Sequence, residues 1–146
     1  MAKINFRSGD RPFIFPDKTG LKSFIEFLFK KEKKELGGIN YIFCSDEMLL
    51  KINQDFLQHN YYTDIITFGL QEPGQPIEAE IYISIDRVKD NAIQQGVDYE
   101  NEMMRVLFHG ALHLCGYKDK KKSEIALMRK KEDQYLRLFE KQQLHA

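Results

Sequence analysis

One stretch restricts what this chain can fold into more than any other: DYENEMMRVLFHGALHLC, residues 98–115. At 100° per residue, Met103, Leu107, Gly110 and Leu114 form one apolar stripe, and Met104, Phe108, Ala111 and Cys115 form a second beside it. The remaining sector carries Glu102, Arg105, His109 and His113. A helix this apolar has to be buried on most sides, leaving one narrow polar seam. Two histidines four residues apart in that seam start about 5–6 Å from each other, within reach of a single ion. Gly116 permits the positive φ of a helix stop, and Asp119 follows three residues later, placed to offer a carboxylate oxygen. His109, His113 and Asp119 are therefore the candidate metal ligands. The bland alternative, two core histidines each bonded to a backbone carbonyl, accounts less well for a pair at this spacing.

The pattern H-x-x-x-H-x-x-G-x-x-D is similar to that of the metzincin proteases, in which a glutamate after the first histidine takes the proton from the attacking water. Here that position is Gly110, which has no base to offer, and Glu102 lies two turns away. Peptide hydrolysis is a poor fit. Three protein ligands nevertheless leave a coordination position open, as catalytic rather than structural zinc sites do.

The rest of the chain reads as one α+β domain, residues 1–146, with a single mixed sheet packed with helices. Residues 3–6 and 12–15 look like short strands. The spacing of Leu21, Phe24, Ile25, Leu28 and Phe29 predicts a helix over 19–35, ended by Gly37 and Gly38. A strand follows at 39–45, then a helix from Asp46 capped by Ser45. Segments 63–70 and 79–85 are expected to pair antiparallel, joined by QEPGQPI. Asp86 is the expected cap of a helix stopped by Gly96, and a charged helix is expected over 121–141.

Composition narrows the functions. The 22 basic and 22 acidic residues cancel, so nucleic-acid binding would have to come from a local patch. No apolar run approaches the ~18 residues of a membrane span, and the first residues carry no secretory signal. Cys44 and Cys115 lie in apolar stretches and read as reduced thiols of a cytoplasmic protein.

The residues His109-Gly110-Ala111-Leu112-His113-Leu114-Cys115-Gly116-Tyr117-Lys118-Asp119 resemble the signature H-G-x-L-H-L-x-G-Y-D-H of the YbeY family, the bacterial rRNA-maturation metalloendoribonucleases. INQDFLQHNYYTDIITF resembles the family's L-N-x-x-[YF]-R…T-D-V-L-S-F segment, and AEIYIS its G-D-I-x-I-S strand. The resemblance covers most of the chain. It implies a zincin-like α+β fold and a zinc-dependent, cytoplasmic endoribonuclease specific for single strands. It implies ribosomal RNA and the small ribosomal subunit as partners, 16S rRNA 3′-end maturation and ribosome quality control as the setting, and neither membrane nor DNA. The chain departs from the pattern twice. Asp119 stands where the family has a third histidine, an ordinary change of zinc ligand. Leu57 stands where the family has an arginine linked to RNA handling, and leucine does not clamp a phosphate.

Candidate substrate contacts are fewer and weaker. Arg105 in the seam and Lys118 beside the third ligand are the cations nearest the motif, with Lys120, Lys121 and Lys122 following. Thr63 and Asp64 fall in the family's T-D block, where the resemblance suggests a cleft wall or a hydrogen bond to a metal histidine. His59 reads as a loop histidine ahead of a fourth ligand, and Tyr61 and Tyr62 as packing residues ahead of base-stacking ones. KKEKK (30–34) and RKKE (129–132) read as solvated faces. The alternative to an enzyme is a ribosome-associated RNA-binding protein with a structural metal, which Leu57 favours.

Overall fold

The computed structural model describes residues 3–144. The elements run β1 (Lys3–Ser8), α1 (Lys18–Lys31), β2 (Leu36–Cys44), α2 (Asp46–Leu57), β3 (Ile65–Gly69), β4 (Ile77–Ser84), α3 (Ile85–Gln95), α4 (Tyr99–Leu114) and α5 (Lys122–Leu144). The strands make one sheet in the order β1-β2-β4-β3. β1 is parallel to β2 and β2 to β4, while β3 returns antiparallel along β4, so the sheet is mixed. The expected antiparallel pair is this last one, with Ile65 opposite Ile83 and Gly69 opposite Ala79.

Side-chain alternation explains how the sheet is covered on both faces. Ile39, Tyr41 and Phe43 of β2, with Ile81 and Ile83 of β4, point into the main core. There they meet Leu21, Phe24 and Leu28 of α1 and Met103, Leu107 and Phe108 of α4. The opposite face is smaller: Cys44 and Ile66 pack with Leu49 of α2, flanked by Ile42, Phe68 and Tyr82. α4 lies close on the sheet at Gly110, where a Cβ would come within 2.9 Å of Ile65 Cδ1 and 3.1 Å of Ile81 Cδ1. The glycine that removes a general base also lets the histidine helix sit against the strands.

Three local expectations change. Residues 12–15 form no strand. Pro12 and Pro16 deprive this segment of ladder donors, and Phe13 and Phe15 instead pack with Phe6 and Phe43 in an aromatic cluster. α3 is capped by Ser84, whose hydroxyl accepts from the Arg87 N–H at 3.1 Å; Asp86 lies inside the first turn and accepts from the Asp46 N–H at 2.9 Å. α1 stops at Lys31, and Gly37 and Gly38 belong to β2. Ser45 caps α2 through the Met48 N–H, and Gly96 closes α3 with φ +67°.

Candidate metal centre

α4 is long enough for its polar seam to run the length of a cleft of roughly 1000 Å³. Glu102, Arg105, His109 and His113 all line it, and so do Thr63, Asp64, Asp119 and Lys120. At the end of α4, Gly116 turns the chain with φ +107°, a conformation that side chains with a Cβ rarely adopt. The turn brings Asp119 back over the histidines. Asp119 Oδ2 lies 3.2 Å from His109 Nε2 and 3.3 Å from His113 Nε2. One ligand atom from each of the three residues falls within 4.8 Å of the others, so the group could hold a metal ion.

Whether these residues fit a metal is decided by the other side of each ring. His109 Nδ1 donates to Glu132 Oε2 at 2.6 Å, and His113 Nδ1 donates to the Tyr117 carbonyl at 2.8 Å. With the proton held on Nδ1 in both rings, both Nε2 lone pairs face the same point, the arrangement typical of metal-ligating histidines. Tetrahedral donors at zinc bond lengths sit about 3.3 Å apart, close to the separations from each histidine to Asp119. Two nitrogens and one carboxylate oxygen suit zinc and leave a coordination position open. The donor set fits.

The supports lie where the sequence looked least informative. Glu132 is buried, and besides His109 it accepts from Arg105 Nη1 at 2.9 Å. Arg105 also donates to Asp133 at 2.7 Å, so its guanidinium ties α4 to α5. Burial disfavours the charged form of His109, but the hydrogen bond and charge of Glu132, with Asp119 and Asp64, outweigh it and raise its pKa. Tyr117 is held in turn by Glu32, which accepts from its hydroxyl at 2.7 Å, from the Tyr135 hydroxyl, and from Lys131 at 3.4 Å. The two charge runs expected to be solvated therefore each hide one buried or nearly buried glutamate. For Glu132 a signal existed: Met128, Glu132, Tyr135 and Leu136 are the buried positions of α5, spaced as one helical face.

The remaining residues are distributed as follows. Thr63 Oγ1 donates to the Ile65 carbonyl at 3.4 Å, and Asp64 accepts from Asn91 at 3.3 Å and lies against the cleft, where burial raises its pKa. Neither is hydrogen-bonded to His109 or His113. Lys120 reaches the cleft rim, whereas Lys118 is exposed and outside the lining. His59 and Leu57 line the same cleft. Burial pushes the Cys115 thiol up to about 12, the behaviour of a core thiol. Glu102 is buried, one carboxylate oxygen has no partner, and burial raises its pKa. No helix among the described residues is long and apolar enough to cross a membrane.

Fold and site together define a class: an α+β protein whose open cleft is lined by a three-donor group that could hold a metal. The family model described as Endoribonuclease YbeY matches residues 9–140. Endoribonuclease YbeY of Cytophaga hutchinsonii is 50% identical over 92% of this chain and 94% of its own length. That of Flavobacterium psychrophilum is 46% identical over 87% and 90%. The solution structure of TM1509 from Thermotoga maritima superposes with a TM-score of 0.59 at 28% identity, covering 95% of this chain and 89% of that one. The chain belongs to the YbeY endoribonuclease family.

Proposed function

We propose that this chain is a zinc-dependent, single-strand-specific endoribonuclease of the cytoplasm, acting on ribosomal RNA in 16S 3′-end maturation and in ribosome quality control. The observation that carries the reading is the convergence of His109 Nε2, His113 Nε2 and Asp119 Oδ2, with both Nδ1 atoms already engaged. Membership in a family of endoribonucleases supports the reaction class. His109, His113 and Asp119 would hold the metal. Zinc bound there would supply Lewis-acid polarisation of a phosphoryl oxygen.

The protein's own part is to orient and to hold. Glu132 and the Tyr117 carbonyl fix the two rings, so the site is organised before substrate arrives. Lys120 at the rim, with Lys118 beside it, draws the RNA backbone toward the metal group. Thr63 and Asp64 shape the lining of the cleft that holds the histidine seam. Arg105 acts through Glu132, since both of its terminal nitrogens are engaged by carboxylates on α5.

The test is incubation of zinc-loaded protein with a single-stranded fragment of the 16S rRNA 3′ region, its duplex form, and casein, each with and without chelator. The expected result is chelator-sensitive cleavage of the single strand alone, lost in His113→Ala and Asp119→Ala. RNA binding without cleavage would favour the RNA-binding protein with a structural metal. Cleavage that survives both substitutions would overturn the assignment of the site.

A further inference from the structure

The cleft that holds the histidine seam also carries a surface of a different kind. Leu57, His59 and Tyr61 line it, where a phosphate-binding wall would need cations. The His59 and Tyr61 rings are stacked, with centroids 5.1 Å apart and planes 20° from parallel. The Tyr61 hydroxyl and His59 Nδ1 are hydrogen-bonded at 3.0 Å, locking the pair together. Tyr61 is nevertheless 56% exposed, so its ring does little for the core.

The backbone beneath this pair is built to hold it. Asn53 is buried, and its side chain donates to the Tyr61 carbonyl at 2.9 Å, while its own carbonyl accepts from the His59 N–H at 3.1 Å. Gln58 takes the left-handed conformation, φ 56°, that turns the chain out of α2. Gln54 donates to Asn60 at 2.6 Å and closes the loop from outside. An exposed aromatic pair on a loop tied down at three points is pre-organised for a flat partner. The neighbouring Tyr62 is a contrast: it is equally exposed, but its ring is covered by the Arg87 guanidinium, 5.4 Å from the centroid, and it does not line the cleft.

We propose that the stacked His59–Tyr61 pair is a platform on which one unpaired nucleobase of the RNA rests while the backbone lies over the metal group. Stacking on a π-face tolerates any base and requires it to be out of a duplex, so the platform selects single strands. It offers grip through the base on the wall where Leu57 offers none through phosphate. This rests on the reading of the chain as a ribonuclease, and it deepens that reading by naming where a base is held.

The test uses zinc-loaded wild-type, Tyr61→Ala, Tyr61→Phe and Tyr62→Ala proteins. Their substrates are a labelled oligoadenylate and an abasic ribose-phosphate oligomer of equal length. Binding is read by stopped-flow anisotropy before appreciable turnover, and kcat and KM are then measured. Tyr61→Ala is expected to raise Kd and KM for oligoadenylate roughly tenfold (about 1.4 kcal/mol) with little change in kcat. The salt dependence of binding should keep its slope, because no phosphate contact is lost. Tyr61→Phe, which keeps the ring, and Tyr62→Ala should stay close to wild type, and on the abasic oligomer all four should coincide. The platform is overturned if Tyr61→Ala binds oligoadenylate like wild type, or if its defect is as large on the abasic oligomer. Wild-type cleavage with either of those results removes the platform and leaves the nuclease intact. A wild-type protein that neither binds nor cleaves oligoadenylate removes both.

Discussion

The two candidate metal-ligating histidines sit one turn apart on one helix, yet the molecule holds them in different ways. His109 leans on a buried carboxylate, Glu132, which Arg105 neutralises from the other side. His113 leans on a backbone carbonyl, that of Tyr117, in the loop after Gly116. A carboxylate adds negative charge to the imidazole and strengthens it as a donor, whereas a carbonyl mainly fixes its tautomer and direction. The His109 side is therefore the electronically tuned half of the site. The His113 side depends on where a loop is placed, and Glu32 and Tyr135 place it.

That contrast can be broken first by removing the rings themselves. His109→Ala and His113→Ala should each abolish stoichiometric zinc in protein purified without chelators, read by elemental analysis; stoichiometric zinc in either would dissolve the comparison. Next comes the charged support. Glu132→Gln should weaken zinc about 10- to 100-fold in a chelator competition, while circular dichroism shows the helices retained. An affinity equal to wild type would mean that the carboxylate only fills space.

The loop support should matter less. Glu32→Ala and Tyr117→Phe both remove the Tyr117–Glu32 hydrogen bond, so each should cost under about tenfold in zinc affinity and the double substitution no more than the larger single one. Additive losses would show that Glu32 acts by some route other than Tyr117.

The smallest effect concerns the seam's other buried glutamate. Glu102 has no partner for one oxygen; burial raises its pKa, Asp64 adds to the shift and Arg105 opposes it. A carboxyl with a raised folded-state pKa contributes stability below the ordinary glutamate range, and that contribution is lost as pH climbs through the raised value. Glu102→Gln should thus stabilise the metal-free protein at pH 7 by on the order of 1 kcal/mol, a few degrees in Tm, and flatten the loss as pH rises above the ordinary glutamate range. A lower Tm at pH 7 would indicate that the charged form is favoured after all.

Much of this was legible beforehand because it is local. Helical periodicity alone put Glu102, Arg105, His109 and His113 in one seam, and the Gly116 turn with Asp119 completed the donor set. The antiparallel β3–β4 pair and the caps at Ser45 and Gly96 are likewise properties of short windows. Misreadings arose where a local signal had a distant competitor. Phe13 and Phe15 alternate like a strand, but flanking prolines and an aromatic cluster take them elsewhere. Glu32 and Glu132 stand among lysines and arginines; helical spacing marks Glu132 as inward, but only packing shows that Glu32 points inward.

The sequence by itself determined the candidate donor set, because three potential ligands within eleven residues of a helix and its turn are positioned by backbone geometry. Only the tertiary structure decided what supports them. The partner of His109 lies 23 residues away on α5, and the anchor of Tyr117 lies 85 residues away at the C-cap of α1. Such pairs exist once the sheet has brought α1, α4 and α5 against one core. The aromatic pair follows the same rule: His59 and Tyr61 are two residues apart in the chain, but only the fold sets their stacked rings in the same cleft as the histidines.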